Sequence, residues 1–383
     1  MHRTRALSFH ASWRCRHSGA CCSSGWTIPV EAGAEAGLRS ALRQGRLSAP
    51  APEDGLLVRE AGLPAGANVR FGRDALGRCL FLEAAGGARL CRVHRELGEA
   101  ALPSSCRHFP RVALLAPDVT DVTLSSYCPS AASLLFAPAS GDRDAIVDSP
   151  AAFPPERDYE GLAARDAFSP FLRPGVLMGW AAYRRWEAFC VAELTGGRPP
   201  ETALATLARA VERVRGWTPA LGPLDDVLAR ALDEAAGAPE RGAEPEASAC
   251  ERLFDLAASA CLPGVEPPTR PRAWRGDFDR FVAPAWPRLG VPIGRYLASR
   301  AFGSWMALQG PGLRTTLRSV RAADAVLRVE AARRGGETQD AIGSEELREA
   351  IRASDLLLVH LADPEALARM LGAFEGEPLS QGR

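Results

Sequence analysis

The placement of the cysteines constrains this chain more than any other feature. Seven of its ten cysteines (Cys15, Cys21, Cys22, Cys79, Cys91, Cys106 and Cys128) fall in the first 128 of 383 residues, where an even spread would place about three. In a reducing compartment such a concentration reads as metal or iron–sulfur ligation before it reads as a disulfide framework. Buried free thiols acting as small hydrophobes are the plain alternative. That alternative suits Cys190, Cys250 and Cys261, which sit in alanine- and leucine-rich helical stretches. It suits the N-terminal seven poorly, because arginines flank four of them: Arg14 and Arg16 around Cys15, Arg78 before Cys79, Arg92 after Cys91, Arg107 after Cys106. A neighbouring guanidinium favours the thiolate, and the thiolate is the metal ligand.

Spacing narrows the kind of site. The cysteines run C-x5-C-C, then 56 residues, then C-x11-C-x14-C-x21-C. There is no C-x2-C knuckle, so this is no ordinary zinc finger or ribbon. The C-x3-C-x2-C triplet of radical enzymes that use S-adenosylmethionine is missing too. Cys21 and Cys22 have Cα atoms ~3.8 Å apart, and in an extended chain their side chains would face opposite ways. Residues 78–83 and 88–93 flank Gly86-Gly87 and predict a hairpin. An odd-length loop would put Cys79 and Cys91 on one face, as a shared site requires. Cys106 is expected after a short helix at about 94–101, and Cys128 at a strand end before Pro129, which can open a helix.

Composition then removes whole chemistries. The chain has 46 basic residues, all arginine, against 46 acids, so its formal net charge is zero. Without lysine there is no Schiff-base lysine, no P-loop lysine and no lysine base, which excludes pyridoxal enzymes, Walker-type NTPases and protein kinases. Neutral charge argues against a nucleic-acid partner. Residues 1–140 carry 16 arginines against 11 acids, so the cysteine region is mildly basic and the remainder mildly acidic. Residues 1–10 hold arginines but no apolar run that reads as a signal peptide. The uncharged stretch from Val122 to Gly141 is broken by Ser, Pro and Cys, which disfavours a membrane span. A cytoplasmic location is the expectation.

Five segments, in order, resemble the flagellin lysine-N-methylase family. They are Cys15-x5-Cys21-Cys22-Ser-Ser-Gly25-Trp26-x-Ile28, residues 77–82 (GRCLFL), 90–98 (LCRVHRELG), 102–111 (LPSSCRHFPR) and 124–132 (LSSYCPSAA). Together they lie within residues 9–136, and the later chain is only loosely similar, as at 293–297 (IGRYL). The same motifs without the Gly-Trp mark a wider YkgJ-type cysteine-cluster group described as zinc- or iron-chelating. The resemblance implies a metal centre, an iron–sulfur cluster of the four-iron four-sulfur kind or zinc, held by the seven cysteines. It also implies methyl transfer from S-adenosylmethionine to surface lysines of a protein substrate, flagellin by analogy. One departure matters: the wider group reads C-x2-C-G-x-C-C, whereas Ser18 stands here before Gly19. With an odd number of cysteines, either three are accessory or His17, His94 or His108 completes a second site. No glycine-rich loop after a strand offers a nucleotide-type cofactor site. The catalytic and cofactor-binding residues are therefore unassigned. The alternative is a non-catalytic zinc- or iron-binding module for storage, delivery, sensing or structure.

Periodicity predicts a mainly α protein with a small, irregular α+β cysteine-rich N-terminal part, its short hairpins built around the metal centre. The expected division is a metal-binding domain over 1–136, a Pro-, Ala- and Asp-rich linker over 137–160, and a mainly helical domain over 161–383. Helices are expected over 176–194, 201–215, 223–236, 247–261, 277–286, 293–308, 313–334, 344–353 and 363–374. Gly335-Gly336 reads as a stop signal, and 355–361 as a buried helix or a strand. Trp180, Tyr183 and Trp186, spaced three apart, form a packing face.

Overall fold

The computed structural model describes residues 3–85, 88–138, 144–164, 169–238, 245–309 and 312–374. It is mainly helical with several small sheets. Among the described residues no helix is long and apolar enough to cross a membrane.

Contacts divide the chain into two compact units, and the division is not sequential. One comprises Arg14–Val112 with Cys128–Ser130; the other comprises Met1–Trp13, Ala113–Tyr127 and Ala131–Arg383. The expected boundary at residue 136 and the linker over 137–160 give way to this arrangement because of strand pairing. Arg3–Leu7 runs parallel to Val119–Leu124 and antiparallel to Ile146–Asp148, a strand inside the expected linker. These belong to a five-stranded sheet, completed by Arg111–Leu115 and Leu162–Ala163.

In the larger unit the helices fall mostly where periodicity places them: Trp180–Thr195, Pro200–Arg215, Leu224–Gly237, Ala247–Ser259, Gly290–Ala301, Leu313–Thr338, Ser344–Asp355 and Pro364–Ala373. Leu313–Thr338 is the axis, with apolar residues buried nearly all round it. It does not stop at Gly335-Gly336. A Cβ on Gly335 would come within 2.6 Å of Phe281 Cβ, and one on Gly336 within 2.7 Å of Asp277 Oδ2. These glycines serve close helix approach, not termination. The single helix expected over 277–286 is instead a short α turn, Trp274–Asp277, a π-helix, Phe278–Val282, and a 3-10 turn, Trp286–Leu289. The expected 293–308 helix breaks after Ala301 and resumes at Met306–Gln309. Val176–Leu177 is a strand, and Leu356–Leu361 is a π-helix. Tyr183 and Trp186 are buried, as a packing face requires.

An ionic cluster joins the sheet to the helices inside this unit. Arg5 donates from Nε to Asp121 Oδ1 (2.7 Å) and from one Nη to Glu187 Oε2 (2.6 Å), while Gly303 N–H donates to Glu187 Oε1 (2.8 Å). The guanidinium lies over the Phe302 ring. Burial and the Asp121 charge push Glu187 up to about 7, against the pull of Arg5.

The smaller unit is built on a three-stranded antiparallel sheet, with Ala67–Phe71 between Pro29–Glu31 and Leu57–Arg59, and on the hairpin Leu82–Ala85/Ala88–Cys91. Its small apolar core centres on Val30, Leu38, Leu56, Val69, Phe71 and Phe81, with Cys22 and Cys79 packed into it.

Candidate metal centre

Three separate segments of the smaller unit bring four thiols together. The first is the four-residue helix Ala20–Ser23, which carries Cys21 and Cys22. Its N-cap, Gly19, adopts φ +70°, and a Cβ there would lie 2.7 Å from Arg89 Cβ, so glycine is required twice over. Because the pair is helical and not extended, successive side chains diverge by only about 100°. Their sulfurs stand 3.9 Å apart.

Cys79 N–H donates to Cys22 O (2.7 Å), which fixes the second segment against the first. Cys79 precedes the hairpin ladder, reaching Leu82 through a turn in which Leu82 N–H donates to Cys79 O (2.9 Å). The third segment ends at Cys91, opposite Leu82 in the ladder, with Ala85 opposite Ala88. That register leaves two residues in the loop, so the odd-length loop expected above is incorrect. Gly86 and Gly87 themselves lie outside the described residues. Cys79 and Cys91 still reach the same place, because Cys79 sits before the ladder and is not bound by its alternation.

Cys22 is the hub. The neighbouring thiols of Cys21, Cys79 and Cys91, and after them burial, push its thiol far above the ordinary thiol range. The Cys22 thiol in turn lowers Cys21. Cys91 falls to about 7, first through Cys22 and then through the backbone N–H groups of His94 and Val93 at the start of Arg92–Leu97. This lowering favours the Cys91 thiolate, the form that binds metal.

The other three expected ligands differ in placement. Cys106 follows the helix Arg92–Leu97 and the 3-10 turn Glu99–Ala101, as expected, and itself lies within the short helix Ser104–His108; burial pushes its thiol up, followed by the charges of Cys21, Cys91 and Cys79. Cys15 is exposed and accepts from His17 N–H (3.4 Å), with its thiol raised by desolvation. Cys128 is buried immediately before Pro129, which opens the helix Pro129–Leu134. The His17 and His94 rings lie 5.7 Å apart, and His108 is buried.

The flanking arginines act less directly than their positions in sequence imply. Arg78 donates to Asp74 (2.8 Å), and Arg92 pairs with Glu83 (3.1 Å). Thiol acidity arises mainly from the other thiols and from backbone amides, with Arg111 acting on Cys15. Gly19, whose positive φ is invisible in a cysteine count, is the positioning residue that spacing overlooks.

Among the described residues no group of three or more Cys, His, Asp or Glu side chains is arranged to hold a metal ion as it stands. Comparison with known protein families, curated proteins and solved structures gives no match.

Proposed function

We propose that this chain is a metal–thiolate protein of the flagellin lysine-N-methylase type, transferring methyl groups from S-adenosylmethionine to lysines of another protein. The observation that carries the metal half is the Cys22 thiol, which has Cys21 beside it in the same helix and is acted on by Cys79 and Cys91 from two further segments. Cys21, Cys22, Cys79 and Cys91 are the ligands, with Cys15, Cys106 and Cys128 accessory. Four soft sulfur donors suit an iron–sulfur cluster or zinc. A bound cluster would supply electron transfer or Lewis acidity; the chain supplies sulfur ligands and a small apolar surround. The methyl-transfer half rests on the five sequence segments. The acceptor lysine must belong to a partner, since the chain has none.

One distance favours a second reading, a mononuclear zinc module without catalysis. Tetrahedral zinc–sulfur bonds of about 2.3 Å imply sulfur–sulfur edges of about 3.8 Å, close to the 3.9 Å between Cys21 and Cys22. The small core of this unit would gain stability from such a metal.

Anaerobic purification followed by assays for iron, sulfide and zinc, with a visible spectrum, tests both. Iron with sulfide and labelled methyl transfer to a lysine-bearing protein support the first reading; colourless zinc protein supports the second. Cys22→Ser and Cys91→Ser should each abolish metal retention. Unchanged metal content in both variants defeats the assignment.

A further inference from the structure

We propose that Glu187 is a proton-operated latch on the turn at residues 302–305: as a carboxylate it holds the Gly303 amide, and on taking up a proton it releases the turn. All the residues involved belong to the larger unit, and the latch is independent of the thiol cluster. Arg5, Asp121 and Glu187 set two carboxylates against one guanidinium, with the Asp121 and Glu187 side chains only 2% and 0% exposed. One buried negative charge is in excess, and a proton would neutralise it. The surrounding groups do not supply a second cation. On the helix of Glu187 itself, burial and then the Glu187 charge push Tyr183 and Cys190 up. Arg184 acts on Asp121 but is paired with Asp118 (2.5 Å). In helix Gly290–Ala301, Arg295 donates to Leu135 O and Ala137 O, Tyr296 lies beside Asp355, and Arg300 faces Asp355 (3.8 Å). Toward helices Pro200–Arg215 and Leu224–Gly237 the ion pairs are Arg213 with Glu234 and Arg185 with Asp225.

Both Glu187 oxygens already accept a hydrogen bond, Oε1 from Gly303 N–H (2.8 Å) and Oε2 from Arg5 (2.6 Å). A carboxyl group carries a donor on one oxygen, so protonation sets that O–H against one of the two N–H groups. Arg5 keeps its charge and is anchored by Asp121 as well. The weaker bond, to the neutral Gly303 amide, is the one given up. Gly303 is buried, so its freed N–H must find a new acceptor, and the turn has to move. Gly303 adopts φ +59°, and a Cβ there would lie 3.3 Å from Asp121 Cβ, which places the turn directly against the cluster. The turn joins helix Gly290–Ala301 to Met306–Gln309, and its far end is held by Trp305 Nε1–H donating to Ala113 O (3.0 Å). Because burial and Asp121 bring Glu187 up to about 7, the latch works near neutral pH.

Hydrogen exchange of the full chain, read by mass on peptides covering residues 302–305 and corrected for the intrinsic rate, tests the latch. Between about pH 8 and about pH 6 protection there should fall about tenfold, as for loss of one hydrogen bond to a charged acceptor. The buried face of helix Pro200–Arg215 should keep its protection over the same range. Glu187→Gln keeps the size and a carbonyl oxygen for Arg5 but turns amide hydrogens toward Gly303, so protection should be low at both pH values. Asp121→Asn leaves one carboxylate for one guanidinium, and the fall should move to lower pH by at least about one unit. If Glu187→Gln does not fold, the Asp121→Asn midpoint decides. Equal wild-type protection at both pH values, a pH response that survives Glu187→Gln, or a midpoint unmoved by Asp121→Asn overturns the proposal.

Discussion

His10 offers the sharpest test of the electrostatics, because a single cause shifts it. The imidazole is fully buried at the end of the first strand and its turn, and neither ring nitrogen has a hydrogen-bond partner. Burial alone drives its pKa from 6.5 down to about 3. The folded chain therefore binds fewer protons than the unfolded chain throughout the window from 6.5 down to about 3. This contribution to stability is intact above 6.5 and is lost as pH falls through that window. At about pH 4.5 the unfolded imidazole is favoured by two pH units, worth about 2.7 kcal/mol at about 1.36 kcal/mol per unit. His360, lowered to about 4 by burial and then by Arg300, adds to the same trend, so the comparison must isolate His10. His10→Leu removes the titration and keeps an apolar side chain of similar size. Urea unfolding of both proteins at about pH 7 and about pH 4.5 gives four free energies. Acidification should cost the variant about 2.7 kcal/mol less than the wild type. At neutral pH the variant should be no less stable, since two unpaired nitrogens leave the core. Equal acid losses in the two proteins would refute the argument, because the ring would then be hydrated or paired.

Two further substitutions follow from the packing. Arg5→Met leaves Asp121 and Glu187 buried without their cation and should cost about 3–5 kcal/mol, read as a lower urea midpoint at neutral pH; a loss under about 1 kcal/mol would mean that water screens the pair. Gly19→Ala forces a side chain into a left-handed position against Arg89, so the Cys21–Cys22 helix must shift. Metal content should fall with the larger unit's unfolding unchanged, whereas full retention would show that the cap is not what aims the two thiols.

How much of this was legible in the sequence depended on the range of the cause. Amphipathic periodicity is local, and it located Pro200–Arg215, Leu224–Gly237 and Ser344–Asp355 within a residue or two. The glycine pair at 335–336 misled because local propensity reads glycine as a terminator. The reasons for those glycines are Phe281 and Asp277, more than fifty residues away in the chain, 2.6 Å from a Cβ at Gly335 and 2.7 Å from one at Gly336. Strand Ile146–Asp148 was illegible for the same reason, since its partner is Arg3–Leu7. The cysteines were legible as a set and not as a geometry. Spacing weighed Cys21 and Cys22 only for the extended case, in which they oppose each other, and treated Cys79 and Cys91 as members of one ladder. Both inferences assumed regular structure where the chain uses turns: a left-handed glycine starts a one-turn helix, and Cys79 joins from outside the strands. A thiol cluster made from turn geometry needs no fixed sequence period, only residues that permit those turns. That explains why no zinc-knuckle spacing appears although four thiols converge, and it makes Gly19 as informative about the centre as any cysteine in it.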